Sequence, residues 1–177
     1  MIELCYTPYS VACFAVGQEM GIKEQMKFLE IVYEREYGFL HPAYRGYKKE
    51  FISDVLYWTD YLPDKLKPGE EFPAIEGDFK AAGRAFLQEG VTSGYPKLDR
   101  FFMFLRLRTL YTSGQGHVRM KLRALFDNYG DKRRSKAIAS RIRDCLMFYH
   151  IQPYLKDGKE CDIREINMDD MIIFCVL

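Results

Sequence analysis

Tryptophan occurs once and histidine three times in this chain of 177 residues. His41, His117 and His150 lie far apart, with no partner at the spacing a zinc site uses, so no metal is expected. Cysteine is sparse as well. Cys5, Cys13, Cys145, Cys161 and Cys175 are odd in number and form no C-x-x-C pair. That pattern excludes a disulfide framework and points to reduced thiols in a cytoplasmic protein. Long apolar runs are absent too. The longest, Met171 to Leu177, has 7 residues, against the roughly 20 of a spanning helix, so no membrane role is expected. The opening MIELCYTPYS has no basic stretch leading into an apolar core, which gives no sign of a secretory leader. In the closing FCVL, Cys175 stands third from the end rather than fourth, which excludes a prenylation box. Internal repeats and low-complexity tracts are missing.

What is present is core-forming material. Hydrophobic residues make up 48% and aromatic residues 15% of the chain, with 13 each of tyrosine and phenylalanine. This excludes a disordered chain and supports one domain, or two small ones. Many of the tyrosines are expected to be half-buried, with the ring packed and the hydroxyl wet.

The net charge of +1 conceals a strong asymmetry. Residues 1–99 carry 11 basic and 16 acidic side chains, and residues 144–177 carry 3 and 7. Between them, residues 100–143 hold 12 basic residues opposed only by Asp127 and Asp131. Such a block either presents phosphates with a positive surface or is cancelled by ion pairs to its acidic flanks.

Along the chain, residues 1–16 read as a short strand, a turn at Pro8 and an apolar run. Helices are predicted over 18–37 and 47–61, the second on the spacing of Phe51, Val55 and Trp58. The proline- and glycine-rich stretch 63–78 reads as a loop or linker, followed by a short helix over 79–88. Residues 98–111 are apolar on nearly every side and predict a central buried helix from which Arg106 and Arg108 reach outward. A further helix is predicted from His117 to about Asn128, on the spacing of Val118, Leu122, Leu125 and Phe126. Ser135 is the expected N-cap of the next, 136–149, whose stripe is Ile138, Ile142, Cys145 and Tyr149. The segments IQPYL and ECDI read as strands around an Asp157-Gly158 turn, and MIIFCVL as a last strand.

The stretch VRMKLRALFDNYGDKRRSKAIASRIRDCLMFYHI, residues 118–151, resembles a winged-helix-like module found in bacterial restriction- and defence-associated proteins. The resemblance lies in an apolar helix, an aromatic-glycine step, the basic pair Arg133-Arg134, a small residue at Ser135, an I-x-x-x-I helix and a following hydrophobic strand. It implies nucleic-acid or partner recognition in an anti-phage or mobile-element setting. In such modules the second helix enters the major groove and the hairpin touches the backbone.

The expected fold is therefore mainly α (α+β). A helical part over 1–95 precedes a basic winged-helix-like module over 96–177 that carries a small antiparallel sheet, and the two are able to pack as one unit. The expected phosphate contacts are Lys132, Arg133, Arg134 and Lys136, with Arg119, Arg123, Arg141 and Arg143 extending the patch. Helix N–H groups after Ser135 would add to them. Cations there otherwise oppose the helix dipole.

Arg143 and His150 form an R-x6-H pair, two helical turns apart and so expected on one face. It resembles the motif of HEPN-type ribonucleases, in which the pair acts on the 2′-hydroxyl and scissile phosphate, usually across a dimer. A helix-end cap explains His150 equally well. Gly114-Gln115-Gly116 lacks the lysine of a P-loop. Glu160, Asp162 and Glu165 read as solvated acids rather than a metal nuclease. Tyr44, Tyr47, Tyr57 and Tyr61 fit core packing at least as well as a base-stacking surface.

No complete catalytic site is legible, and no cofactor is called for. The primary expectation is a protein that binds DNA or RNA through residues 100–143. One alternative is an inhibitor or adaptor that acts on a nucleic-acid-binding protein complex, such as a phage-borne blocker of a nucleic-acid-guided nuclease. The other is the ribonuclease. A homodimer is left open by all three.

Overall fold

The computed structural model describes residues 4–62, 96–129 and 134–177. The chain divides into two compact units, Met1–Ser93 and Gly94–Leu177. As expected, the architecture is mainly helical with a small antiparallel sheet. The linker and short helix expected at 63–88 lie outside the described residues, as do Lys132 and Arg133.

In the first unit, α1 (Pro8–Gly17) begins where a strand and turn were expected. Thr7 and Ser10 form a capping box: Thr7 Oγ1 accepts from the Ser10 N–H at 3.2 Å, and Ser10 Oγ from the Thr7 N–H at 3.0 Å. Pro8 sits at the first helical position, where its missing N–H costs nothing. Every residue from Pro8 to Ala15 is buried, which explains why no amphipathic stripe announces this helix. α2 (Ile22–Arg35) and α3 (Lys48–Tyr61) follow, joined by two short 3-10 turns. Tyr6 pairs with the segment before the second turn, its N–H donating to Phe39 O at 2.7 Å while its carbonyl accepts from His41 N at 2.9 Å. The Tyr6 hydroxyl donates to the buried Glu36 carboxylate at 3.1 Å.

The second unit opens with α4 (Pro96–Leu107), continues through a π-helical turn (Arg108–Thr112), and enters β1 (His117–Lys121). α5 (Leu122–Tyr129), α6 (Lys136–Phe148), β2 (Ile151–Leu155) and β3 (Met171–Val176) complete it. The sheet is antiparallel throughout, in the order β1-β3-β2. His117 lies opposite Cys175 and Lys121 opposite Met171, while Ile151 faces Val176 on the other side of β3. Ile172 and Phe174 of β3 are fully buried, and Phe174 meets Phe102 of α4 edge-on at 5.8 Å between ring centres.

Several expectations are corrected here. Residues 117–121 are strand, not the first turns of a helix, because their backbone pairs with β3 and Val118 and Met120 alternate with charged neighbours. The helix starts only at Leu122. Its first donors go to the loop before β3, Leu122 N to Asp170 O at 3.1 Å and Arg123 N to Met168 O at 2.7 Å. The Asp157-Gly158 turn forms, with Gly158 at φ +82°, but the expected ECDI strand shrinks to a single bridge between Tyr154 and Glu160. The true partner of β2 is β3. Ser135 caps α6 as expected, its hydroxyl accepting from Ile138 N at 3.3 Å.

Candidate nucleic-acid interface

Burial divides the basic segment into two groups. Arg100 and Arg106 of α4 are buried, so Arg106 does not reach outward as expected. Its Nη1 donates to the Tyr149 carbonyl at the end of α6, at 2.8 Å, satisfying an acceptor that the helix itself leaves open. Arg141, expected to contact phosphate, is engaged within the unit. Its guanidinium grips Asp99 of α4 through Nε to Oδ1 at 2.7 Å and Nη2 to Oδ2 at 2.8 Å, with side chains only 17% and 8% exposed. These residues hold α6 against α4 and leave its opposite side to solvent. The buried Cys145 thiol donates to the same Asp99 at 3.5 Å. Burial, followed by the Asp99 charge, pushes its pKa well up, so it is no nucleophile.

Arg119, Arg123, Arg134, Lys136 and Arg143 are exposed, in different states. Arg123 forms a two-pronged pair with Asp169 at 2.8 and 2.9 Å, and Arg119 Nε donates to His117 Nε2 at 3.0 Å. Arg134 donates to the carbonyls of Ile163 and Ile166, tying the loop before β3 to the start of α6. Those acceptors hold the side chain without neutralising its charge.

Lys136, Ser140, Arg143 and Met147 are exposed along one side of α6, which follows from their spacing of four, three and four residues. Arg134, Lys136 and Arg143 then meet Arg164, from the loop before β3, around a cleft of about 430 Å³ whose other lining residues are Ser135, Ala139 and Ser140. Among the described residues that line it there is no carboxylate. Arg164 was missed from the sequence because it lies beyond the basic block. The signal was local: Asp162-x-Arg164 just after the glycine turn. Asp162 accepts from the Arg164 guanidinium and backbone N–H. These bonds, with the Arg143 charge behind them, hold its carboxyl at about 2.

Arg143 also borders a second, mainly apolar hollow of about 550 Å³ between the C-terminal half of α6, β2 and the loop at 161–163. His150 lines the same hollow, but not as a neighbour on one helix face. α6 ends at Phe148, and His150 stands beyond it with φ +51°. That left-handed position is a helix-terminating one. The single-helix geometry expected of the R-x6-H pair is therefore not formed.

Other motifs take structural roles. Gly116, at φ +65°, turns the chain into β1. The Tyr44 hydroxyl donates to Asp54 at 2.8 Å, whereas Tyr47, Tyr57 and Tyr61 are exposed. Among the described residues no group of three or more His, Cys, Asp or Glu side chains is placed to hold a metal, and no helix is long and apolar enough to cross a membrane. Comparison with family models, curated proteins and solved structures returns no match.

Proposed function

We propose that the second unit is a nucleic-acid-binding module of winged-helix type that holds phosphates at the N-terminal half of α6. The observation that carries this reading is the cleft lined by Arg134, Lys136, Arg143 and Arg164, with no carboxylate among its described lining residues. Like charges brought together from a helix and two loops repel one another, and an anion in the cleft relieves that cost. Lys136 and Arg143 are the best suited, because among the described residues neither donates to a carboxylate. The cleft also opens beside the first N–H groups of α6, which add partial positive charge and donors.

Topology supports the same reading. The order helix, strand, helix, helix, strand, strand, with the first strand joined to the last, agrees with a winged helix. On this reading α6 is the recognition helix and residues 156–170 are the wing.

The test is binding of labelled nucleic acids by fluorescence anisotropy, comparing the wild type with a Lys136→Ala/Arg143→Ala variant. Both side chains are exposed, so the variant is expected to fold. The reading requires weaker binding by the variant to DNA or RNA of any sequence. Equal binding by the two proteins refutes it.

A further inference from the structure

Two hollows flank the exposed side of α6, and Arg143 lines both. One is the cationic cleft. The other is framed by Leu146, Met147, Ile151, Pro153 and Ile163, with Gln152, His150 and the Arg164-paired Asp162 at its polar edge. Met147 is 67% exposed within it, an unusual position for a thioether beside a run of cations. An apolar recess that shares Arg143 with an anion site matches a ligand with a flat, mostly apolar body one sugar away from a phosphate.

Resting on the nucleic-acid reading above, we infer that this hollow takes an unpaired nucleobase adjoining a phosphate held in the cleft, so that the preferred ligand is a single strand or a duplex with an overhang. In a closed duplex the faces of the bases are stacked and only their edges are presented, so filling a recess means pulling a base out at the cost of its stacking and pairing. An unpaired base avoids most of that cost. Its faces pack on the aliphatic walls and the Met147 thioether, which accommodates varied shapes. Its edge finds the Gln152 amide, which both donates and accepts. At the junction, the planar Arg143 guanidinium can donate to the phosphate from its edge while its face lies against the base. The cations of the cleft on the other side of Arg143 favour an anionic occupant and outweigh the Asp162 carboxylate of the hollow, which is paired with Arg164. An acidic peptide with one large apolar side chain meets the same charge requirement, but gains less from a recess bordered by a planar cation.

The experiment uses the full chain and four labelled probes: a mixed-sequence single strand, an abasic strand with the same number of phosphates, a blunt duplex, and that duplex with a short overhang. At one salt concentration the single strand and the overhang duplex are expected to bind about tenfold more tightly than the abasic strand and the blunt duplex. Met147→Ser is expected to remove most of that preference and leave the salt dependence unchanged. As a second readout, 2-aminopurine in the single strand should brighten on binding, as it leaves its stacked neighbours, and brighten less with Met147→Ser.

Equal, salt-sensitive affinity for abasic and base-carrying strands overturns the inference and leaves the phosphate reading standing. Failure to bind any of the four overturns both.

Discussion

Arg141 closes a two-pronged ion pair on Asp99, 2.7 and 2.8 Å between the bonded atoms, inside the packing of α6 against α4. The most basic stretch of the chain thus uses one of its cations to orient the helix that presents others. Breaking the pair from one side leaves a buried charge without its partner. Arg141→Ala or Asp99→Ala is expected to cost about 3–5 kcal/mol, and joint replacement by Met and Leu much less. Urea unfolding of the single and double variants measures the difference.

Ser135 fixes where α6 begins. Ser135→Ala removes the acceptor for Ile138 N and is expected to destabilise the second unit by about 1 kcal/mol, whereas Ser135→Asp keeps the cap. Thermal unfolding of the two variants should separate them. The aspartate should nonetheless weaken nucleic-acid binding, because it places a carboxylate in the cationic cleft.

His150 occupies a left-handed position after α6. Glycine fits such a position without steric cost and a β-branched residue does not. His150→Gly is therefore expected to leave stability nearly unchanged, and His150→Val to lower it by about 1–2 kcal/mol. Unfolding curves on both variants check this.

Asp162 titrates at about 2 because Arg164 holds its charged form. Its folded pKa lies below the unfolded value, so its stabilising contribution is complete above about pH 4. That contribution is lost as pH falls from there towards 2. With Arg164→Ala the Asp162 carboxyl should titrate higher but still below its ordinary value, because the backbone N–H of residue 164 and the Arg143 charge remain, which carbon-detected NMR titration of the side chain reads directly.

How much of this was legible depends on what each element shows in its own residues. α6 was readable because Ser135 caps it and its apolar stripe is clean, and α3 because Phe51 and Val55 repeat at helical spacing. β3 announced itself as an apolar run. By contrast, β1 hid because Val118, Leu122, Leu125 and Phe126 fall at helical spacing across a strand-helix junction. Only the backbone pairing with β3, about fifty residues later, decides its state. α1 is buried on every side and therefore carries no stripe.

The candidate site was half legible. The charge block located α6, but charge counting treats Arg106, Arg141 and Arg143 alike. Separating them required a tertiary partner for each of the first two: Tyr149 O for Arg106 and Asp99 for Arg141. Arg164 escaped because it enters the cleft from an acidic stretch.

The measurement that tests the central claim most directly is the salt dependence of nucleic-acid binding. Wild type should lose affinity linearly on logarithmic axes between about 50 and 200 mM salt. Lys136→Ala/Arg143→Ala should reduce that slope by about 1.4 on a single strand, roughly 0.7 for each lost phosphate contact. An unchanged slope in the double variant, or wild-type binding indifferent to salt, would contradict a phosphate-holding cleft on α6.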